Sequence, residues 1–295
     1  MKGYTEMKKE KPIEILNFER TDSEKLFFEI IDLPNLQKPI PSSFHRHNFF
    51  EIIIITKGKT KQSVDFNKLE LKETEILCVP QNSIHQGDFK EKLDGYIMLF
   101  TADFLNPEQF KSLAKLDIFN PSLNAAPLKF DRQEWEQVLD FFKIFQAEYA
   151  DFISNKNTNI LRYLLLAFCI KLNEFYKHQH KIFLVSSNIS QPFFELLEKH
   201  FCKEHAADFY SRKLNCTPKK LSKILEDATG KGTKRLIIDR IMLEAKRQLI
   251  FSGKSIKEIA FFLGFEDQLY FSKMFKKHTS YTPFEFKKDF SEISI

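Results

Sequence analysis

The stretch Ile259-Ala260-Phe261-Phe262-Leu263-Gly264-Phe265-Glu266-Asp267-Gln268-Leu269-Tyr270-Phe271-Ser272-Lys273-Met274-Phe275 decides how the C-terminal third of this chain folds. Ala260 is small enough for two helices to approach closely, and Gly264 supplies the positive φ that a sharp turn between them demands. The helix after the turn is expected to face Phe271, Met274 and Phe275 inward, leaving Gln268, Leu269, Ser272 and Lys273 outward. Ser255 followed by Glu258 is a capping box that opens the first helix. This order of signals is that of a helix-turn-helix.

A second copy lies upstream: Tyr210-Ser211-Arg212-Lys213-Leu214-Asn215-Cys216-Thr217-Pro218-Lys219-Lys220-Leu221-Ser222-Lys223-Ile224-Leu225. Ser211 takes the small position and Asn215 the positive-φ position. Thr217 gives an N-cap and Pro218 a first helical residue, so the second helix is fixed at its start. Leu221, Ile224 and Leu225 are expected inside; Lys219, Ser222 and Lys223 project outward. Leu236, Ile237, Ile241, Leu243, Ala245, Leu249 and Ile250 place a long spacing helix between the copies, starting near Thr233. Either unit alone also reads as an ordinary helical hairpin. Two in tandem, with matched outward polar residues, point instead to a pair of helices entering successive major-groove segments about 34 Å apart. Lys and Gln there can bond guanine and adenine edges, and Ser either a base edge or a phosphate.

Residues 192 to about 290 resemble the DNA-binding domain of the AraC/XylS family of transcriptional regulators. The resemblance is carried by Ser255-Ile256 to Ile259-Ala260, Leu263-Gly264-Phe265, Tyr270-Phe271-Ser272-Lys273, Phe275-Lys276-Lys277 and Thr282-Pro283. It implies double-stranded DNA as a partner, with Lys219, Ser222, Lys223, Gln268, Leu269, Ser272 and Lys273 at base- and phosphate-contacting positions. Three departures stand out. Ser280 occupies a place usually held by Gly, Leu225-Glu226 replace the usual Phe-Lys pair, and Leu269, unable to hydrogen-bond a base, either touches a thymine methyl or contributes nothing.

The chain upstream has a different period. From about Leu26 to Phe104 it breaks into short β-rich runs, Ile52 to Thr56, Ile76 to Val79 before Pro80, and Tyr96 to Phe100, with a turn at Lys57-Gly58-Lys59. Evenly spaced short strands predict a small barrel or sandwich. Two amphipathic helices are predicted next, one from Trp135, Val138, Leu139, Phe142 and Phe145, the other from Ile160, Leu161, Leu164, Leu165, Phe168, Leu172 and Phe175. The apolar surface around Leu164, Leu165, Leu166, Phe168 and Ile170 is expected to pack on the barrel on one side and a second subunit on the other. The alternative is that both faces are core.

Within the strand-rich part, His45, His47, Glu51 and Gly58 read H-x-H-x3-E-x6-G, with Pro80-Gln81-Asn82-Ser83-Ile84-His85 downstream. Residues two apart on a strand share a face, so the two histidines point the same way. The spacing resembles the two short motifs of the cupin barrel, although Thr74 and Asn82 stand where glycines are usual. Three readings are open: a three-His, one-carboxylate metal site, a polar pocket lining, and structural histidines. The expectation adopted is an effector pocket lined by His45, His47, Glu51 and His85, with no metal and no cofactor. The competing class is a metal-dependent cupin enzyme, an isomerase or dioxygenase, with a helical appendage; it leaves the tandem units unexplained.

The 295 residues suit two domains, and 43% hydrophobic with 29% charged residues excludes wholesale disorder. From Pro192 onward 20 Lys and Arg face 14 Asp and Glu, so the net +5 sits in the C-terminal third, which suits phosphate attraction and equally a merely soluble basic surface. Cys78, Cys169, Cys202 and Cys216 form no C-x-x-C pair, which argues against a disulfide framework and for a reducing cytoplasm. Met1 to Lys11 lacks the apolar run of a secretory signal, and the run Tyr163 to Ile170 is too short for a membrane span. The expected chain is therefore α+β with two domains: a cupin-like β-barrel with dimerisation helices over residues 1–185, a linker over 186–191, and an all-α domain of two helix-turn-helix units joined by a long helix over 192–295. Expected partners are DNA, a small-molecule effector, a second copy of the chain and RNA polymerase, with no membrane and no catalytic residues.

Overall fold

The computed structural model describes residues 15–16, 28–35, 43–89, 93–123, 125–155, 158–179 and 189–292. The first part is a two-sheet sandwich. One sheet has the order β1 (Ile15–Leu16), β3 (His45–His47), β8 (Ile84–Asp88), β5 (Lys59–Val64), β6 (Asn67–Lys72). The other runs β10 (Leu128–Lys129), β7 (Glu75–Val79), β4 (Phe50–Lys57), β9 (Asp94–Phe100), β2 (Phe28–Asp32). Each strand predicted from the sequence is present.

The apolar run on β4 is explained by its central place in the second sheet. Ile52 and Ile54 pack into the core shared with the helices, whereas Ile53 and Ile55 face between the sheets with Val64, Leu71, Leu77 and Ile97. A strand buried on both faces reads as continuous rather than alternating hydrophobicity. By the same period of two, Glu51 is on the inter-sheet side with Ile53 and Ile55.

After α1 (Pro107–Leu113), the long helices α2 (Arg132–Asn155) and α3 (Asn159–Gln179) join the second sheet in one core. Trp135, Val138, Phe142 and Phe145 of α2 and Leu161, Leu165, Phe168 and Leu172 of α3 are buried there. Ile160, expected on that face, is 53% exposed; the inward stripe starts one residue later, at Leu161. Tyr163 and Ile170 of α3 and Ile144 and Ile153 of α2 are also exposed.

The remainder is helical: α4 (Ser190–His200), α5 (Ala207–Lys213), α6 (Pro218–Thr229), α7 (Thr233–Phe251), α8 (Ile256–Phe262), α9 (Gln268–Thr279) and α10 (Pro283–Glu292). The helix expected to open at Pro192 begins at Ser190, so Ser190 and Gln191, read as linker, are helical. The rest of that reading, 186–188, and the Lys-rich start Met1 to Lys11 lie outside the described residues. One core holds these helices together, including Phe193, Leu197, Tyr210, Leu221, Leu225, Ile237, Ile241, Leu249, Phe271 and Phe275. Leu221 and Leu225 are fully buried as predicted, while Ile224 is only half-buried.

Candidate functional site

The two helix-turn-helix units repeat one another bond by bond. In the first turn the Leu214 N–H donates to the Tyr210 carbonyl, Asn215 to Arg212 and Cys216 to Ser211; in the second, Leu263 donates to Ile259, Gly264 to Phe261 and Phe265 to Ala260. Asn215 and Gly264 both have positive φ, 50° and 80°. Ser211 and Ala260 are buried at the helix crossing. At the far ends, the Thr229 hydroxyl donates to the Leu225 carbonyl at 2.8 Å and the Thr279 hydroxyl to the Phe275 carbonyl at 2.8 Å.

N-caps fix where each outward face begins. The Thr217 hydroxyl accepts from the Lys220 N–H at 3.2 Å, and the Asp267 carboxylate accepts from Leu269 and Tyr270 at 3.1 and 2.8 Å. Ser255 and Glu258 form the predicted capping box of α8. Lys219 and Lys223 are exposed on α6, and Leu269 and Lys273 on α9; Gln268, Ser222 and Ser272 are half-buried. Lys223 is drawn to Asp227 at 2.8 Å, whose hydrogen bond and charge raise its pKa, whereas among the described residues Lys273 makes no such ion pair. Tyr270, next to Leu269 at the start of α9, is 61% exposed. Sequence reasoning passed over it, although its place in the repeat is that of the outward Lys220.

Left-handed backbone at the second turn and at the two C-caps constrains which residues can stand there. A side chain on Gly264 would place its Cβ 2.3 Å from the Cys202 carbonyl oxygen, so glycine is required by both φ and space. The C-caps Gly230 (φ 72°) and Ser280 (φ 69°) are equivalent and left-handed, which makes Ser280 a strained substitute for the usual glycine.

The spacing helix also touches the barrel, a role the sequence did not suggest. Arg247 of α7 is 3% exposed and grips Asp65 with two bonds, Nε to Oδ1 at 2.9 Å and Nη2 to Oδ2 at 2.5 Å, while Nη2 also donates to the Ser83 hydroxyl at 3.2 Å. Phe66 beside it packs edge-on against Phe286 of α10, ring centres 5.4 Å apart, and under the Lys246 ammonium. Asp65 and Phe66 form the positive-φ turn between β5 and β6. Arg240, seven residues before Arg247 and so on the same side of α7, lies 3.8 Å from the Phe201 ring centre and pairs with Glu198 and Glu244. Burial opposes its charge, but those two carboxylates more than offset this and raise its pKa. Two arginines a double turn apart on an otherwise apolar face were the available signal. Between the barrel and α7 lies a cavity of about 230 Å³, lined by Val64, Cys78, Leu128 and Tyr176 on one side and Lys231, Arg235 and Lys246 on the other.

His45, His47, Glu51 and His85 do converge, but inside the sandwich and not on that cavity; each is 4% exposed or less. β3 and β8 pair His45 with His85, and Glu51 comes from the facing sheet. One Glu51 oxygen lies 3.4 Å from His47 Nε2 and 3.0 Å from His85 Nδ1. Burial pushes the Glu51 carboxyl up, but the nearness of the His85 and His47 imidazoles outweighs it and holds it below the ordinary range. Burial, reinforced by His85, lowers the pKa of His45 to about 4, leaving its ring neutral at physiological pH. Thr74 and Asn82, the two cupin-motif departures, have φ 61° and 63°, the conformation a glycine would take without strain.

Two family models match: an AraC-like ligand binding domain over residues 41–120 and a helix-turn-helix domain over residues 210–289, together more than half of the chain. The chain is 42% identical over 64 residues to an uncharacterized HTH-type transcriptional regulator in the cgkA 5' region of Pseudoalteromonas carrageenovora; the match takes in 22% of this chain and 37% of that protein. It is 20% identical over 258 residues to the uncharacterized HTH-type transcriptional regulator YdeC of Bacillus subtilis strain 168, covering 86% of this chain and 88% of that one. Among solved structures, ToxT from Vibrio cholerae O395 aligns over 90% of this chain and 94% of its own with 13% identity and a TM-score of 0.43. The family models and the two curated relatives describe a regulator and give the enzyme reading no support. Among the described residues, no helix is long and apolar enough to cross a membrane. With an AraC-type ligand-binding domain ahead of a helix-turn-helix domain, the chain belongs to the AraC family of transcriptional regulators.

Proposed function

We propose that this chain is a sequence-specific regulator that inserts α6 and α9 into successive major-groove segments and responds to a small molecule held by its N-terminal half. The observation that carries the reading is the bond-by-bond repetition of the two units, with Ser222-Lys223 and Ser272-Lys273 at equivalent places. Lys219, Lys223 and Lys273 supply phosphate or guanine contacts, Gln268 an adenine contact, Ser222 and Ser272 either, and Leu269 a thymine methyl. A half-buried hydroxyl and a long cation recur in each unit, and the second unit adds one apolar contact at Leu269.

The effector acts where it can alter the fit of barrel and DNA-binding domain. The 230 Å³ cavity is such a place, since α7 forms one wall and the strands of the sandwich another. An effector that binds two arrangements of these walls unequally shifts their populations, and one that binds both equally shifts nothing. The division we propose is 1–185, 186–191 and 192–295, with α4 opening at Ser190. Tyr163 and Ile170, exposed apolar residues on α3, support a homodimer in which two copies of this helix meet. In a cytoplasmic setting the bound dimer passes its signal to RNA polymerase at the same promoter.

The test is binding of the full chain to fragments of its own promoter region, followed by fluorescence anisotropy across a range of salt. A specific complex with several phosphate contacts gives a log–log salt slope of about −0.9 per contact. Equal affinity for promoter and scrambled DNA, or a flat salt dependence, contradicts the reading.

A further inference from the structure

The interior cluster of histidines has a polarity that a pocket lining does not need. His45 Nδ1 lies 3.0 Å from the Ser43 carbonyl and His47 Nδ1 2.7 Å from the Phe49 carbonyl, and a carbonyl only accepts, so both Nδ1 atoms carry the proton. His85 is fixed from its other nitrogen. The Thr60 hydroxyl donates to the Asp88 carbonyl, and it therefore accepts from Gln62 Nε2 at 3.0 Å. That orientation leaves Gln62 Oε1 to accept from His85 Nε2 at 2.8 Å. Three rings thus spend their protons on outer acceptors and turn their remaining nitrogens toward one another.

Those inward donors lie within 4.8 Å of each other. His47 Nε2 and His85 Nδ1 are sealed from solvent and face the Glu51 carboxylate without a well-directed hydrogen bond. Lone pairs facing a carboxylate in a dry interior are unfavourable unless a positive charge sits among them. One proton, placed on His85, would settle a single ring and leave His45 and His47 unanswered. A cation settles all four groups at once. With bonds of about 2.1 Å, ligand atoms around one ion lie up to about 4.2 Å apart, so the observed spread needs only a small contraction. The short motifs of the barrel imply such an ion, and these residues fit it. His47 is further held flat by stacking on Phe49, ring centres 4.2 Å apart.

We propose that His45, His47 and His85, with Glu51, bind one divalent first-row transition metal ion, and that Gln62 is the positioning residue that turns His85 Nδ1 inward. Imidazoles with a single carboxylate suit zinc, iron(II), manganese or nickel rather than calcium or magnesium. Acceptors behind ligating histidines orient the ring and raise its basicity, and losing one weakens metal binding about 10- to 100-fold. The site is independent of the DNA-binding reading: either can fail while the other stands.

The experiment uses the full chain stripped with a chelator and titrated with cobalt(II) and then zinc. The expected result is saturation at one equivalent with visible d–d bands, displaced by zinc, together with a shift of the imidazole nitrogen resonances of His45, His47 and His85. Gln62→Leu should weaken cobalt affinity about 10- to 100-fold at unchanged circular dichroism, and Gln62→Glu, which keeps an acceptor oxygen, should restore most of it. Absence of saturable binding overturns the proposal. So does unchanged affinity in His47→Gln/His85→Gln, which would place the ion on the surface, and so do wild-type resonances that show a doubly protonated His85 unaffected by zinc. Because the resonances are read on the unaltered protein, a variant that fails to fold does not leave the question open.

Discussion

Arg247 and Asp65, 182 residues apart in sequence, form a buried two-bonded ion pair that fastens the helix between the two DNA-reading units to a hairpin of the barrel. The Asp65 carboxylate also accepts from the Ile84 N–H, and Asp65 donates its own N–H to the Ile84 carbonyl. Ile84 directly precedes His85. A shift of β8 is thereby passed within a few bonds to α7.

Asp65→Ala leaves the Arg247 guanidinium buried beside an empty place, and the expected loss is about 3–5 kcal/mol in urea unfolding. Asp65→Asn with Arg247→Met removes both charges while keeping an acceptor for the Ile84 N–H and a residue suited to the positive φ, and should recover most of that loss. A single-variant loss below about 1 kcal/mol would show that the pair is solvated and fastens nothing.

Lys273→Ala should weaken promoter binding by about 1–3 kcal/mol and relax base choice at one position if its ammonium reads guanine. Uniform weakening across base variants, with the salt slope reduced by about one, assigns it to phosphate instead. Lys223→Ala should have the smaller effect, because Asp227 already holds that ammonium at 2.8 Å.

The left-handed positions respond in opposite directions. Ser280→Gly relieves a positive φ and should stabilise the C-terminal domain by about 1 kcal/mol. Gly264→Ala forces a Cβ to 2.3 Å from the Cys202 carbonyl and should abolish cooperative unfolding of that domain and DNA binding with it. Thermal denaturation of both variants checks the pair, and a stable, DNA-binding Gly264→Ala would contradict the packing at the second turn.

His205 links stability to pH. Its ring packs at a tilt against Phe265, ring centres 4.9 Å apart, and its Nε2 meets the Leu263 carbonyl at 2.8 Å, yet burial lowers its pKa below the ordinary 6.5. The unfolded chain therefore takes up a proton near 6.5 that the folded chain resists, so stability is whole above that pH and falls as pH drops through the interval below it. His205→Gln, which keeps a donor, should flatten that part of the profile; an unchanged slope in chemical denaturation between pH 7.5 and 5.5, chosen as roughly bracketing the ordinary value, would count against it.

Tyr163→Glu with Ile170→Asp should give a monomer in sedimentation if α3 forms the dimer. Persistence of the dimer would move the interface elsewhere.

Much of this architecture was legible because local chemistry and periodicity speak for themselves. Capping at Thr217 and at Ser255 with Glu258, the left-handed turns at Asn215 and Gly264, and the helical spacing around Leu221 and Phe271 each act within a few residues, so the sequence alone determined the tandem units. The four-isoleucine run likewise announced a strand buried on both faces, and the H-x-H pair a shared side of β3. What the sequence left open depends on groups far apart in the chain. That Arg247 meets Asp65, that Glu51 reaches the histidines from the opposite sheet, and that Gln62 sets the proton of His85 were decided only when the sheets closed and α7 docked. Ion pairs and hydrogen-bond direction depend on distances of a few ångströms, and no periodicity along the chain encodes them.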